Sequence, residues 1–168
     1  MKMLKSSWIA LIIPLVYTLI TTTSYCQDPA QGFSRKEFYT ILASQNIQQV
    51  DAQLEILKKS KLNEKNAYAA TLIMKKAGLI KNPAKKLNLF REGHKKLESA
   101  IAKDRENGEL RFLRLMIQEK APAMLGYKDD LQNDSAYIRQ SFKKLPVDVQ
   151  QAITDYSKTS KVLRSEDF

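Results

Sequence analysis

The sequence predicts an all-α fold, a single domain of six to seven helices arranged as stacked antiparallel hairpins or as an irregular bundle. Three observations predict it. Apolar residues recur at intervals of three and four, the helical period, along almost the whole chain. No segment sustains the alternation expected of a half-buried strand. The five glycines supply few tight-turn signals, while asparagine and proline stand where helices would start and stop.

The elements follow in order. Phe38, Ile41 and Leu42 mark a first helix, and Ile47, Val50, Leu54 and Leu57 a second. A third, starting after Asn63 as its cap, carries Tyr68, Leu72, Ile73 and Leu79. Asn82-Pro83 is a cap followed by the proline that suits a first helical position. The fourth helix then runs to about Asp104 on a stripe of Leu87, Phe90, His94, Leu97 and Ile101. Asn107 caps a fifth, GELRFLRLMIQ, which Pro122 ends because the residue before a proline is pushed out of the helical region. A loop with Gly126 and Tyr127 leads to Tyr137, Ile138 and Phe142. Beyond Pro146 come Val147, Val149, Ile153 and Tyr156. Residues 158–168 are expected to fray.

The first 26 residues read as a secretory signal peptide. Lys2 and Lys5 precede an apolar run from Trp8 to Ile20, and small residues lead to Cys26, with Ser24 and Cys26 at the −3 and −1 places of a cleavage site. The run is short for a membrane span and is broken by Pro14, although an uncleaved anchor is the rival reading. Tyr25 is too bulky for the place before a lipid-modified cysteine. The expectation is a chain of residues 27–168, periplasmic or secreted, with no integral span after cleavage. Without Cys26 it has no cysteine, hence no disulfide, and its stability must come from a core. A domain of that length buries about 68% of its unfolded surface, enough for one core.

The net charge is +10, and +8 once the two lysines of the first 26 residues are removed. That charge is concentrated. Residues 58–96 hold Lys58, Lys59, Lys61, Lys65, Lys75, Lys76, Lys81, Lys85, Lys86, Arg91, Lys95 and Lys96 against Glu64 and Glu92. A basic half of this kind fits anionic envelope polymers or lipid headgroups, or is simply a solvated lysine surface. Nucleic acid fits poorly, because export removes it and few aromatics interleave the lysines: Tyr68 and Phe90 have the spacing of core residues.

Gly93, Leu97 and Ala100, followed by Asp104-Arg105-Glu106-Asn107, resemble the second helix and turn of a tetratricopeptide repeat. Arg105 stands where that pattern has proline, and Arg111, Arg114 and Gln118 stand where the next helix would be apolar. Any antiparallel hairpin also needs small residues at a close crossing. Phe90, Gly93, Leu97, Glu98, Ala100, Ile101, Asp104, Asn107, Glu109, the run Arg111 to Arg114, Ile117 and Gln118, then Pro122, Leu125 to Tyr127 and Asp134, resemble a family of exported helical proteins from Gram-negative bacteria. That resemblance implies export and an all-helical fold, and carries no activity with it.

The fifth helix poses the sharpest question, because Arg111, Arg114 and Gln118 share a face of an otherwise greasy segment. A buried guanidinium needs an acid. Glu98 on the fourth helix and Asp130 and Asp134 after the loop are the candidates for an ionic network that ties three helices together. The alternative is an anion pocket in which a ligand replaces the internal acid, with Tyr127 and Gln118 adding hydrogen bonds.

Chemistry-bearing motifs are otherwise sparse. The single histidine, His94, lies on an apolar stripe and reads as a core imidazole, and with no cysteine it leaves no metal site and no cofactor loop. Glycoside cleavage needs only two carboxylates, for which Glu98 or Glu109 and Asp130 or Asp134 would be the candidates; each also has an ordinary use in ion pairs or at a helix start. The reading is a non-enzymatic exported module that binds an envelope or secreted protein or a small anionic ligand. Binding of envelope polymers or headgroups through residues 58–96 is the alternative.

Overall fold

The computed structural model describes residues 32–168, so the expected signal peptide and Cys26 lie outside the described residues. Seven α-helices stand among the described residues: α1 Arg35–Ala43, α2 Ile47–Lys59, α3 Lys65–Leu79, α4 Pro83–Lys103, α5 Gly108–Lys120, α6 Leu131–Ser141 and α7 Val147–Ser157. No strand occurs among these residues. None of the described helices is long and apolar enough to cross a membrane.

Short polar side chains start the helices by accepting orphan backbone N–H groups. Asn46 takes those of Gln48 and Gln49 at 3.0 and 3.1 Å, Asn82 that of Lys85 at 2.9 Å, and Asn107 that of Leu110 at 3.1 Å. The expectation at Asn63 is corrected. Glu64 occupies the cap of α3 and makes no side-chain capping bond. Pro83 opens α4, and α5 stops at Ala121, immediately before Pro122.

α3 and α4 form the most extensive pairing, and α3 also meets α2 and α5, which places it at the centre. The α3–α4 crossing is close because Gly93 has no side chain: a β-carbon there would sit 2.7 Å from the Ala70 carbonyl oxygen and 2.5 Å from Met74 Cγ. Residues Phe38, Val50, Leu57, Tyr68, Leu72, Leu97, Phe112, Leu113, Leu115, Ile138, Val149 and Ile153 make one continuous core. α7 returns to pack on α1. A solenoid in which each repeat touches only its neighbours would keep those two helices apart, so the hairpins close into a bundle.

Three further expectations are corrected. Val147 is 80% exposed, because it opens α7 on the side away from Val149 and Ile153. His94 is half-exposed in the middle of α4, beside rather than within the buried stripe of Gly93, Leu97 and Ile101. Residues 158–168 do not hang free. Leu163 is fully buried, Ser165–Asp167 form a 3-10 turn, and the Phe168 ring lies 4.6 Å from that of Phe142.

Candidate functional site

The arginines of α5 are partnered as a buried network. Arg114 is 6% exposed. Its Nε and Nη2 donate to Asp134 Oδ2 and Oδ1 at 2.7 and 2.8 Å, a fork-to-fork pair. Its Nη1 lies 3.0 Å from both Glu98 Oε2 and Asp130 Oδ2. Arg111 adds a bond to Asp134 Oδ1 at 3.3 Å, donates from Nε to the Arg105 carbonyl at 2.8 Å, and stacks 4.3 Å over the Tyr137 ring. The Tyr127 hydroxyl donates to Glu98 Oε1 at 2.7 Å. Helical spacing makes this possible: residues 111 and 114 share a face of α5, and residues 130 and 134 lie one turn apart at the start of α6.

Of the residues expected here, Arg111, Arg114, Tyr127, Glu98, Asp130 and Asp134 come together. Gln118 does not join them, and its Oε1 is buried with no hydrogen-bond partner. The sequence reading missed His94. Its ring centroid lies 4.2 Å from that of Tyr127, and its Nε2 is 4.0 Å from Glu98 Oε1. The i, i+4 spacing of His94 and Glu98 was the available signal.

Burial acts on both ends of the central pair. It pushes the Asp134 carboxyl above its ordinary value against the pull of Arg114 and Arg111. It works against the Arg114 charge too, but the bonds to Asp134 and the nearby Glu98 and Asp130 outweigh it and hold the guanidinium above its usual value. The two directions oppose each other, and the geometry decides for the ionised pair, because two parallel short bonds of this kind join a guanidinium to a carboxylate. Three acids already surround two arginines, and every nitrogen of Arg114 faces a carboxylate oxygen. A ligand anion entering here would meet negative charge, which removes the anion-pocket reading of this centre.

Two more carboxylates, the buried Glu109 and the half-buried Glu119, are held by tyrosines. Glu109 Oε1 accepts the hydroxyls of Tyr68 at 2.7 Å and Tyr39 at 3.0 Å, and Oε2 accepts Arg35 Nε at 3.1 Å. Glu119 accepts Tyr156 at 2.9 Å and Ser160 at 2.7 Å on Oε2, and the Lys161 backbone N–H on Oε1. The helix-start role expected for Glu109 is the lesser part of its work. All four acids considered for glycoside cleavage, Glu98, Glu109, Asp130 and Asp134, are engaged with arginine. Among the described residues no cluster of three or more His, Cys, Asp or Glu side chains is arranged to hold a metal.

The accessible feature is a groove of about 750 Å³ between α1, α3, α5 and α7. Leu42, Ala43, Met116, Ile117, Val147 and Ala152 give it an apolar lining, with Tyr39 and Tyr156 on its walls. Lys36, Lys75 and Lys120 enter from three helices, and none is in an ion pair among the described residues. Burial, and then the Lys120 charge, push the Lys75 ammonium below its usual value. Lys120 Nζ lies 5.3 Å from the centroid of the Tyr156 ring. The lining acids are Asp148, which is exposed, and Asp155, which is bound to Lys158 at 2.7 Å and to Gln151 at 3.0 Å.

The basic half lies on α3, α4 and their flanks. Lys58, Lys59, Lys61, Lys85, Lys86, Lys95 and Lys96 are exposed, and Lys75 and Lys76 half-buried. Lys58, Lys76 and Lys96 are neutralised by Glu55, Asp51 and Glu92. A second cavity, of about 710 Å³, lies between the start of α3 and the end of α4 and mixes Glu64, Glu92 and Asp104 with Lys95, Lys96 and Lys103. Comparison with protein-family models, with curated proteins and with solved structures finds no match to this chain.

Proposed function

We propose that this chain is a non-catalytic helical binding module, working outside the cytoplasm after export, whose recognition surface is the groove between α1, α3, α5 and α7. One observation carries the reading: three lysines without acid partners among the described residues line an apolar groove, whereas the arginines of α5 are saturated by internal acids. A pocket of several hundred cubic ångströms with an apolar lining and a few polar groups is the usual form of a ligand site. The ionic centre serves as scaffold, tying α4, α5 and α6 so that α5 presents Met116, Ile117 and Lys120 to the groove.

The test is saturable binding of an anilinonaphthalene sulfonate dye, compared with Ala152→Trp, which fills the groove. Binding by the native chain that the tryptophan abolishes, with the helical signal and melting temperature retained, is the expected result. Dye uptake that is equal in both proteins, or absent from both, overturns the reading.

A second reading rests on the tip of the α3–α4 hairpin, where Lys81, Lys85 and Lys86 are exposed and unpaired among the described residues. It is attraction to anionic envelope polymers or headgroups. Charge reversal of those three lysines, measured on vesicles rich in phosphatidylglycerol at low and high salt, tests it, since exposed charges are screened within about 10 Å at 0.1 M salt.

A further inference from the structure

We propose that the groove takes an anionic amphiphile of small-molecule size, a carboxylate or phosphate head on an aliphatic tail, with the head between Lys75 and Lys120 and the tail along α7 toward Val147. The proposal rests on the binding-module reading and adds the ligand class and its orientation.

The groove is polarised along its length. One stripe of α7 lines it from Val147 to Tyr156, a span of roughly 14 Å at the helical rise. At the Tyr156 end stands Lys120, 5.3 Å from the ring centroid, with Lys75 close enough for its charge to be opposed by that of Lys120. Lys75 is half-buried and Lys120 exposed beside it. Two ammonium groups on one groove wall, with no carboxylate among the described residues ion-paired to either, are an arrangement that an anionic head relieves. At the other end Val147 leaves a large apolar side chain 80% exposed, and the small Ala152 keeps the middle open. The gradient from charged to apolar is that of an amphiphile. The volume, about 750 Å³, falls in the range of small-molecule sites of about 300–1,000 Å³.

Among the described residues none of the acids nearby forms an ion pair with Lys75 or Lys120. Asp155 already holds Lys158, Glu119 is taken up by the Tyr156 and Ser160 hydroxyls, and Asp148 is exposed, one residue from Val147 and so at the far end. Lys36 on α1 adds a third positive charge to the lining. Whether the head is carboxylate or phosphate, the same pair of ammonium groups would bind it.

The experiment is displacement of the bound dye by dodecanoate, by dodecyl phosphate and by dodecanol, the two anions below their micelle concentrations and the alcohol below its solubility limit. Lys75→Gln with Lys120→Gln is expected to weaken the two anions about tenfold while leaving dodecanol unchanged. Val147→Asp, on an exposed side chain, is expected to weaken all three. Relative displacement by the two anions assigns the head. If dodecanol competes as well as dodecanoate and the lysine variant changes nothing, the groove is merely apolar and the proposal falls while the binding-module reading stands. Displacement of the dye by an acidic amphipathic peptide but not by any dodecyl compound overturns the proposal in favour of a protein partner. A dye that never enters the groove removes both.

Discussion

Arg114 and Asp134 are joined by two parallel bonds, Nε to Oδ2 at 2.7 Å and Nη2 to Oδ1 at 2.8 Å, and Asp134 is fully buried. Such a pair is better evidence of what cannot be removed singly than of net stabilisation. Arg114→Ala leaves Asp134 in the interior with only the longer bond from Arg111, and Asp134→Ala leaves Nε and Nη2 of the buried Arg114 without their acceptors. Each is expected to cost about 3–5 kcal/mol in urea denaturation. Replacing both with apolar residues of similar volume, Arg114→Met with Asp134→Leu, should recover most of that loss. A double variant no more stable than the singles would show that the pair itself is the main source of stability.

Much of this centre was legible because helical spacing and charge suffice to state it. An arginine inside GELRFLRLMIQ must face an acid, and the acids one helix away in each direction were few. The groove was not legible. Its walls come from α1, α3, α5 and α7, and no local pattern tells which odd-numbered helices meet. His94 and Val147 were misplaced for a related reason: periodicity assigns a face to each residue, but how much of that face is covered, across its width at His94 and at the helix end at Val147, depends on the neighbouring helix. Glu109 shows the converse. Its position near the start of α5 was read correctly, while the tyrosines that bind it, Tyr39 and Tyr68, come from helices far away in sequence.

Gly93 offers a test of the α3–α4 crossing. In an open helix, glycine to alanine gains roughly 0.5–1 kcal/mol from backbone entropy. At Gly93 the new methyl would stand 2.7 Å from the Ala70 carbonyl oxygen, which belongs to the backbone and cannot swing aside. Gly93→Ala is therefore expected to destabilise by about 1–3 kcal/mol. Gly78→Ala, in α3 with nothing within 4 Å of its β-carbon, should stabilise slightly. Opposite signs for the two, read from thermal melts, are the expected result; the same sign would mean that the crossing is looser than described.

The tyrosine–glutamate bonds predict the response to alkali. Burial, followed by the adjacent Glu109, Glu98 or Glu119 carboxylate, holds the phenols of Tyr39 and Tyr68, of Tyr127 and of Tyr156 above their ordinary value of 10.0, although the order of the two glutamate effects at Tyr127 has the hydrogen bond first. The folded chain thus keeps protons that the unfolded chain releases above that value. The contribution is fully present below pH 10 and is lost as pH rises further, at up to about 1.4 kcal/mol per pH unit for each phenol. A pH jump should show tyrosinate absorbance from these residues rising together with loss of helix. Titration of all four while the helical signal persists would contradict the burial of their hydroxyls.

The C-terminal residues give a contrast within one short segment. Leu163 is fully buried, and its neighbours are tied down by Arg139, whose Nε bonds Asp167 at 2.8 Å, and by Glu119, which accepts Ser160 and the Lys161 N–H. Arg164, one residue on, has its side chain 74% exposed beside an equally exposed Glu166 at 3.7 Å. Leu163→Ala should therefore cost about 2–5 kcal/mol, as for a leucine removed from a packed core. Arg164→Ala should stay within about 0.5 kcal/mol, because an exposed ion pair contributes little. Urea midpoints separate the cases. Equal, small effects would mean that the segment frays as its composition suggested, and that the Tyr156 end of the groove, which Glu119 links to this segment, is less firmly held.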